Sequence, residues 1–526
     1  MMDNENGGII MNTKRWGVIV FVVFALTVGV SALSMAQDKP FEGVEINIGV
    51  LGAGQKGAIS GGLYQWREEW EEMTGAKLNI IEVPIAQIRE KIMTDLYTGA
   101  GGFDGFDGPV WLMGDLVKGD FLVPIEDWMD DPRFPQWDPE DVVEPQRPIH
   151  FWKGTRYLAS NDYDCHTLIY RKDILTDPKW QEAFEQEKGY AYSVPPRTWE
   201  ELADVAEFFN GKDWNGDGEP DHGISQSWKK GEQAMWHFFS LASSYMIVPG
   251  AEGGNVTDAS NAYWFDPEDM RPLINEPGYV RAMEMAVRLY KAGSPAQAGW
   301  GLGEMWGDFL AGKAIFNYGY GDHGALVQEE DRSTVKGKIG CSILPGTKEV
   351  WNAETNEWVQ MDDPNFVVNT IGPSWSFFIF KQTPNPEAVY HLAAFHAQPH
   401  IHFWNVTHGF TGINMGTYTE FFEEHGGEAT VESWVESGWD EGDAIEYEKA
   451  FYENYFMGNV WLPNLRIPGT FQYVDALDEH LQAAITGQLS PQEALERCAQ
   501  DWEDITNQLG REDQLRFFRE DVGYTE

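Results

Sequence analysis

Cysteine is scarce in this chain. Cys165, Cys341 and Cys498 are the only three, so no disulfide framework carries the fold and at most one pair can form. Positive charge is scarce too: 37 Lys and Arg stand against 84 Asp and Glu, and the formal net charge of −47 repels nucleic acid and anionic lipid head groups. Solubility, or life in a salty or alkaline habitat, accounts for an excess of that sign. No long apolar run follows residue 36, so the later chain is expected to be soluble. A Gly-x-Ser-x-Gly elbow, an HExxH pair, a P-loop and the dinucleotide glycine spacing are all missing. Pro399 separates His396 from His400, so His396, His400, His402 and His408 do not align as zinc ligands on one helix. No internal repeat or low-complexity tract interrupts the chain.

What is present begins with an export signal. Lys14 and Arg15 form a basic start, Trp16 to Val30 an apolar core too short to span a bilayer of ~20 residues, and Ser34-Met35-Ala36 a small-residue cleavage site. Translation is expected to start at Met11, and cleavage after Ala36 would make residues 1–36 the signal and deliver the remainder to a periplasm. No Cys stands at the cleavage site to take a lipid anchor. The remainder far exceeds the ~150 residues of an average domain, which implies two or more lobes. It also carries most of 23 Trp, 20 Tyr and 30 Phe, and aromatic surfaces on a soluble body suit flat ligands such as sugars.

The periodicity reads as alternating α/β. Val44 to Leu51 is an apolar-rich strand, Leu63 to Met73 a helix, Lys77 to Val83 an alternating strand and Ala86 to Tyr97 a second helix. That order builds a parallel sheet covered by helices, with ligands beyond the carboxyl ends of its strands. Further helices are expected at Gly278 to Lys291, Trp306 to Ala311, Pro386 to Ala397 and Phe471 to Thr486. Thr198-Trp-Glu-Glu201 and Ser490-Pro-Gln-Glu493 are capping boxes. Trp66, Trp70, Trp199 and Trp404 fall within helix patterns and read as packing residues.

Two local motifs suggest chemistry. Asp213-Trp-Asn-Gly-Asp-Gly-Glu-Pro-Asp221 places oxygens at alternating positions with Gly218 at the turn, like the opening of an EF-hand loop, so Asp213, Asn215, Asp217, Glu219 and Asp221 are candidate ligands of a structural Ca²⁺. Ile224 stands where the twelfth-position carboxylate belongs, and a polar Asx-rich loop is the competing reading. Asn275-Glu-Pro277 matches a glycoside hydrolase signature with Glu276 as acid/base. It directly precedes a helix, where capping explains it better, and the eight βα units of a hydrolase barrel are not visible.

Five segments resemble, in order, the landmarks of extracellular solute-binding proteins of sugar importers, relatives of the maltose-binding proteins. They are Tyr157 to Asp173 (YLASNDYDCHTLIYRKD), Pro196 to Leu202 (PRTWEEL), Phe309 to Phe316 (FLAGKAIF), Leu344-Pro-Gly346 and Gly487 to Leu495 (GQLSPQEAL). The resemblance implies a two-lobed periplasmic-binding-protein fold: discontinuous α/β lobes joined by a hinge, with a ligand cleft between them. It further implies a carbohydrate ligand, delivery to the permease subunits of an ATP-driven (ABC) importer, no catalysis, no organic cofactor and a monomer. The lobes would comprise 37–158 with 345–398, and 159–344 with 399–526. Crossings are expected near Leu158 to Asp162, Ile339 to Pro345 and Gln398 to His408, with insertions around Pro132 to Arg147 and Trp351 to Asn365.

A pyranose presents an apolar C–H face and a rim of hydroxyls, so its binder needs aromatic platforms and paired polar groups. Topology and resemblance together select Trp111 after Phe106-Asp107-Gly-Pro, Asp164 before the Leu-Ile-Tyr-Arg-Lys-Asp run, Tyr320 and Asp322 after the GKAIF strand, and Trp375 after Ile371-Gly-Pro-Ser. Trp461, Arg466 and Tyr473 lie near a late aromatic position of the family. Asp164 and Asp322 could instead cap helices or pair with Arg.

Overall fold

The computed structural model describes residues 39–524 except 56, 251–255, 459 and 463. The expected export signal and cleavage site, residues 1–36, lie outside the described residues. Residues from Pro40 onward form one compact unit, organised around two sheets. In the strand Glu45–Leu51, Ile46, Ile48 and Val50 alternate into the core while Gly49 leaves room for the Phe106 ring, whose atoms would come within 2.2 Å of an added Cβ. This strand pairs in parallel with Lys77–Val83 on one side and Gly105–Gly108 on the other. Ser376–Ile379 then adds antiparallel, and Ala159–Ser160 closes the five-stranded sheet. The second sheet has four strands in the order Ile339–Ser342, His166–Arg171, Ala314–Tyr320, His222–Ser225. Each sheet is the centre of one lobe.

Helices cover both sheets, near the expected positions. Ser60–Thr74 begins earlier than its apolar pattern because Ser60, Gly61 and Gly62 are buried at the lobe's inner face. Thr198 caps Trp199–Phe209 by accepting the Glu201 amide at 3.2 Å, but the box is not reciprocal. The Glu201 carboxylate turns to the amides of Ser193 and Arg197 instead, tying the preceding loop to the helix. Ser490 likewise caps Pro491–Leu509. Trp70 and Trp199 are fully buried, and Trp66 packs edge-on against Trp404 with centroids 5.5 Å apart. All three cysteines are buried and free.

Two segments pack on the lobe opposite to the one expected. Residues 345–365 stay with the four-stranded lobe. There the hairpin of Glu349–Asn352 and Glu357–Gln360 lies on the helices Ala234–Met246 and Pro277–Lys291, and Asn365 donates to the carbonyls of Ser244 and Ile247. The helix Pro399–Thr407 stays with the five-stranded lobe, where Asn405 accepts from the Trp66 indole at 3.1 Å. Ile339–Ser342 is an integral strand, not a crossing. The chain passes between the sheets at 161–165, 370–375 and 408–414. A helix of nine residues occupies most of the expected third crossing because Pro399 at its first position starts it.

Candidate functional site

The three passages between the lobes bring polar side chains into one buried place. Near the end of strand Gly105–Gly108 stands Asp107, whose Oδ2 accepts from Asn161 Nδ2 at 2.9 Å. Asn161 and Asp162 hang from the Trp375 carbonyl by their backbone amides, at 3.0 and 3.1 Å. Asp162 Oδ1 accepts from the Asn414 amide and side chain, and Asn414 Nδ2 also reaches Asp164 Oδ1 at 3.1 Å. Asp164 Oδ2 accepts from the Ser374 amide at 2.7 Å. Ser374 holds a left-handed backbone (φ 41°), a strain retained where the chain turns toward Asp164. Gly372 has no room for a side chain: an added Cβ would lie 2.5 Å from Asp164 Cβ and 2.8 Å from Tyr320 Cε1. From the other lobe come Tyr320, at the end of Ala314–Tyr320, and Asp322, opening a short helix.

Every member is buried, yet several polar atoms have no hydrogen-bond partner: Asp107 Oδ1, Asp162 Oδ2, Asp322 Oδ1, Tyr320 Oη, Ser374 Oγ and Asn414 Oδ1. Unmet groups of this kind cost ~1–3 kcal/mol each unless something satisfies them. Burial pushes the Asp107 carboxyl up to about 8, with the charge of Asp162 adding to it. Asp322 is raised to about 8 for the same two reasons. Burial lifts Asp162 to about 6 against the hydrogen bonds from Asn414, and burial followed by the charge of Asp162 holds Asp164 well above the ordinary range.

Beside this cluster, Trp111 follows the end of Gly105–Gly108 and stacks on Trp236 of the opposite lobe, with centroids 4.9 Å apart and planes 15° from parallel. The indole nitrogens of both are buried without partners. Trp111 borders a cavity of about 350 Å³ between the lobes, lined also by Arg89, Met235 and Phe471. A second cavity, of about 450 Å³, reaches Asp322 and is lined by Trp306, Arg332 and Phe410. Asp322 joins the polar cluster to the second cavity, and Trp111 borders the first.

Of the residues expected from sequence, Asp164, Tyr320 and Asp322 come together, Trp375 adjoins them through its backbone carbonyl, and Trp111 forms a wall. Arg466 and Tyr473 do not join them. Arg466 pairs with Asp521 at 2.8 Å and donates to the carbonyls of Pro148, Ile149 and Phe151, which occupies its guanidinium. Tyr473 is fully buried against Phe265 and Trp502, with its hydroxyl bonded to Thr506 and Gln514. Trp461 belongs to a strand, Val460–Leu462, paired with Val367–Asn369, and its side chain is outside the described residues. Sequence reasoning left out Asp107, Asn161, Asp162, Ser374, Asn414 and Trp236. Asn161 and Asp162 lie in a segment expected only as a crossing, while Trp236 is hidden in a uniformly buried helix.

The acidic loop is arranged differently. Asp213 accepts from the amides of Gly216 and Gly218, Asn215 from Asp217 and Asp217 from Glu219, while Asp221 accepts from Trp214 and Asn215. The Lys313 ammonium bonds Asp217 and stands 3.6 Å from Asp221. The oxygens thus serve a chain of Asx turns and a lysine. Among the described residues no three His, Cys, Asp or Glu side chains are placed to hold one metal ion. Glu276 pairs with Arg271 at 2.6 Å and accepts from the Trp351 indole at 3.0 Å. It stands at the N-cap of Pro277–Lys291 without making a cap bond, so an ion pair replaces the expected capping role.

A two-lobed α/β body around a buried polar cleft defines a binding protein. Residues 65–401 match the family described as bacterial extracellular solute-binding protein, and the chain belongs to that family. Its fold is shared by a solute-binding protein of an ABC transporter from Agrobacterium radiobacter K84 in complex with ribitol, at 18% identity and a TM-score of 0.64, covering 89% of this chain and all of that one. A counterpart from Agrobacterium vitis S4 with bound D-mannitol matches at 16% identity and a TM-score of 0.63, over 89% of this chain and 99% of its own. Maltose-bound MalE3 of T. maritima matches at 18% identity and 0.60, over 88% of this chain and all of its own.

Proposed function

We propose that this protein is the exported, substrate-binding component of an ABC importer for a sugar or polyol, and that it hands an unmodified ligand to membrane permease subunits. The observation that carries the reading is the set of buried, unpartnered polar atoms contributed by both lobes beside the Trp111 and Trp236 rings. Hydroxyls of a polyhydroxylated ligand would satisfy those atoms, and the rings would cover its C–H face. Because the floor is built from the passages between lobes, a ligand bound there favours the arrangement in which the lobes meet. The polyol and maltose complexes of structural relatives support the same ligand class. Lobe 1 comprises 40–160, 376–396 and the helix Pro399–Thr407 in this reading, and lobe 2 comprises 166–369 and 415–522. Export through cleavage after Ala36 into a periplasm, and a monomeric state, belong to the same proposal. Glu276, neutralised by Arg271, is assigned no chemistry.

The test is a thermal-shift screen of residues 37–526 against sugars and polyols, with recovered ligand checked for hydrolysis. A ligand at 100 times its Kd stabilises the native state by ~2.7 kcal/mol, so a specific rise in Tm with the ligand intact is expected. Hydrolysed ligand would turn attention to Glu276. Trp111→Ala is expected to weaken the hit about tenfold or more while the protein stays folded, and unchanged affinity would remove Trp111 from the site. The same screen with CaCl₂ tests the loop at 213–221. Calcium there requires Lys313 to leave Asp217 and Asp221, and a metal-dependent rise in Tm abolished by Asp217→Asn would establish it.

A further inference from the structure

His402 stands where the two lobes are tied together, and both of its ring nitrogens are engaged. It lies on the helix Pro399–Thr407 of lobe 1, and its Nε2 meets the Asn161 carbonyl of the first passage at 3.1 Å. Its Nδ1 bonds Oε1 of Glu420, which belongs to lobe 2 just beyond the third passage. The two side chains are 2% and 0% exposed, so bulk solvent does not screen the pair. A carbonyl oxygen only accepts, so Nε2 must carry a hydrogen. A carboxylate only accepts as well, so the Nδ1 contact needs a hydrogen of its own. That second proton sits on the ring because Glu420 Oε2 already accepts from the amides of Gly416 and Thr417, at 2.8 and 3.1 Å, and such bonds favour the carboxylate. The ring is then an imidazolium.

The surroundings agree with that charge. Burial works against it, but Glu420, with Asp162 and Asp141 behind it, outweighs burial and holds the ring above its ordinary value. His396 and Tyr163 also stand near it and stay neutral: burial depresses His396 to about 3 and raises the Tyr163 phenol, whose ring lies 5.4 Å from that of His402. By contrast, the buried rings of His166, His237 and His323 bond hydroxyl, amide and carbonyl groups, and burial depresses all three. Both contacts of His402 lead to the cleft. Asn161 donates to Asp107, and Asn414, two residues before the Gly416 amide that Glu420 holds, donates to Asp162 and Asp164. One buried cation thus fastens the first passage to the segment that follows the third.

We infer that His402 is a positioning residue of the cleft, an imidazolium whose two hydrogen bonds hold the passages carrying Asn161 and Asn414 in register and keep the lobes together. Losing its proton sets an Nδ1 lone pair against the Glu420 carboxylate and slackens the hinge.

The test uses ligand-free protein, residues 37–526, so its outcome is separate from that of the ligand screen. In ¹⁵N NMR of histidine-labelled protein at pH 7.5, above a histidine's usual ~6.5, a ring with both nitrogens protonated is expected, and its signal should vanish in His402→Gln. Small-angle scattering from pH 6 to pH 10 reads the consequence. At the acid end the wild type should have the smaller radius of gyration, and the gap to His402→Gln should close as pH rises through the raised value and the wild type expands. Ionisation of Asp107 and Asp322 is common to both proteins and drops out of the gap. A His402 ring with one proton at pH 7.5, an absent gap, or a gap that stays constant with pH overturns the inference, the last by showing that His402 only packs. If His402→Gln does not fold, Glu420→Gln takes its place and is expected to give the same pattern. A wild-type spectrum without any doubly protonated ring at pH 7.5 overturns the inference by itself.

Discussion

The protein holds two groups of acidic residues with opposite fates. The loop at 213–221 spends its carboxylates locally: they accept from amides two to seven residues away, and Lys313 bonds Asp217. The cleft floor draws its four carboxylates from strand ends and crossings far apart in the chain, and leaves oxygen atoms of Asp107, Asp162 and Asp322 unpartnered. Local satisfaction makes a turn held by its own neighbours. Assembly by tertiary structure without satisfaction makes a site.

That contrast can be broken in graded ways. The largest expected effect comes from the paired control, Arg466→Ala. It leaves Asp521 buried and alone, and urea denaturation should show a loss of ~3–5 kcal/mol without a change in the ligand affinity of the folded protein. Next is Asp322→Asn in ligand-free protein. A carboxyl raised from 3.8 to about 8 binds more protons folded than unfolded, so native stability falls as pH rises through that interval. The variant should therefore gain stability at pH 8, with little gain near pH 4; a loss at both pH values would mean that the charge is already compensated. Thr198→Ala should cost ~1 kcal/mol by removing a cap bond, as a local feature with a single partner does. Smallest is Lys313→Ala, whose partly exposed pair should be worth less than ~1 kcal/mol in a thermal melt. A cost several times larger would show that the loop is no more self-sufficient than the cleft.

The sequence reading reached the elements whose signals are short-range. Ile46, Ile48 and Val50 announce a strand by alternation, and Ser490 with Pro491 announces a helix start, because period and capping act over a few residues. Asp164, Tyr320 and Asp322 were legible because each follows or precedes a recognisable strand. Arg466 misled because nothing nearby in sequence reveals Asp521, 55 residues on. Trp236 was silent because a helix buried on every side shows no face.

The alternation of strands and helices and most helix boundaries were determined by the sequence itself, since each depends on neighbours within a turn or a pleat. Which lobe holds 345–365 and Pro399–Thr407, which indole meets which across the cleft, and which acids are left unpaired were decided only by tertiary structure. Those outcomes depend on packing between residues hundreds of positions apart, where burial, and not residue type, sets whether a carboxylate is content or waiting.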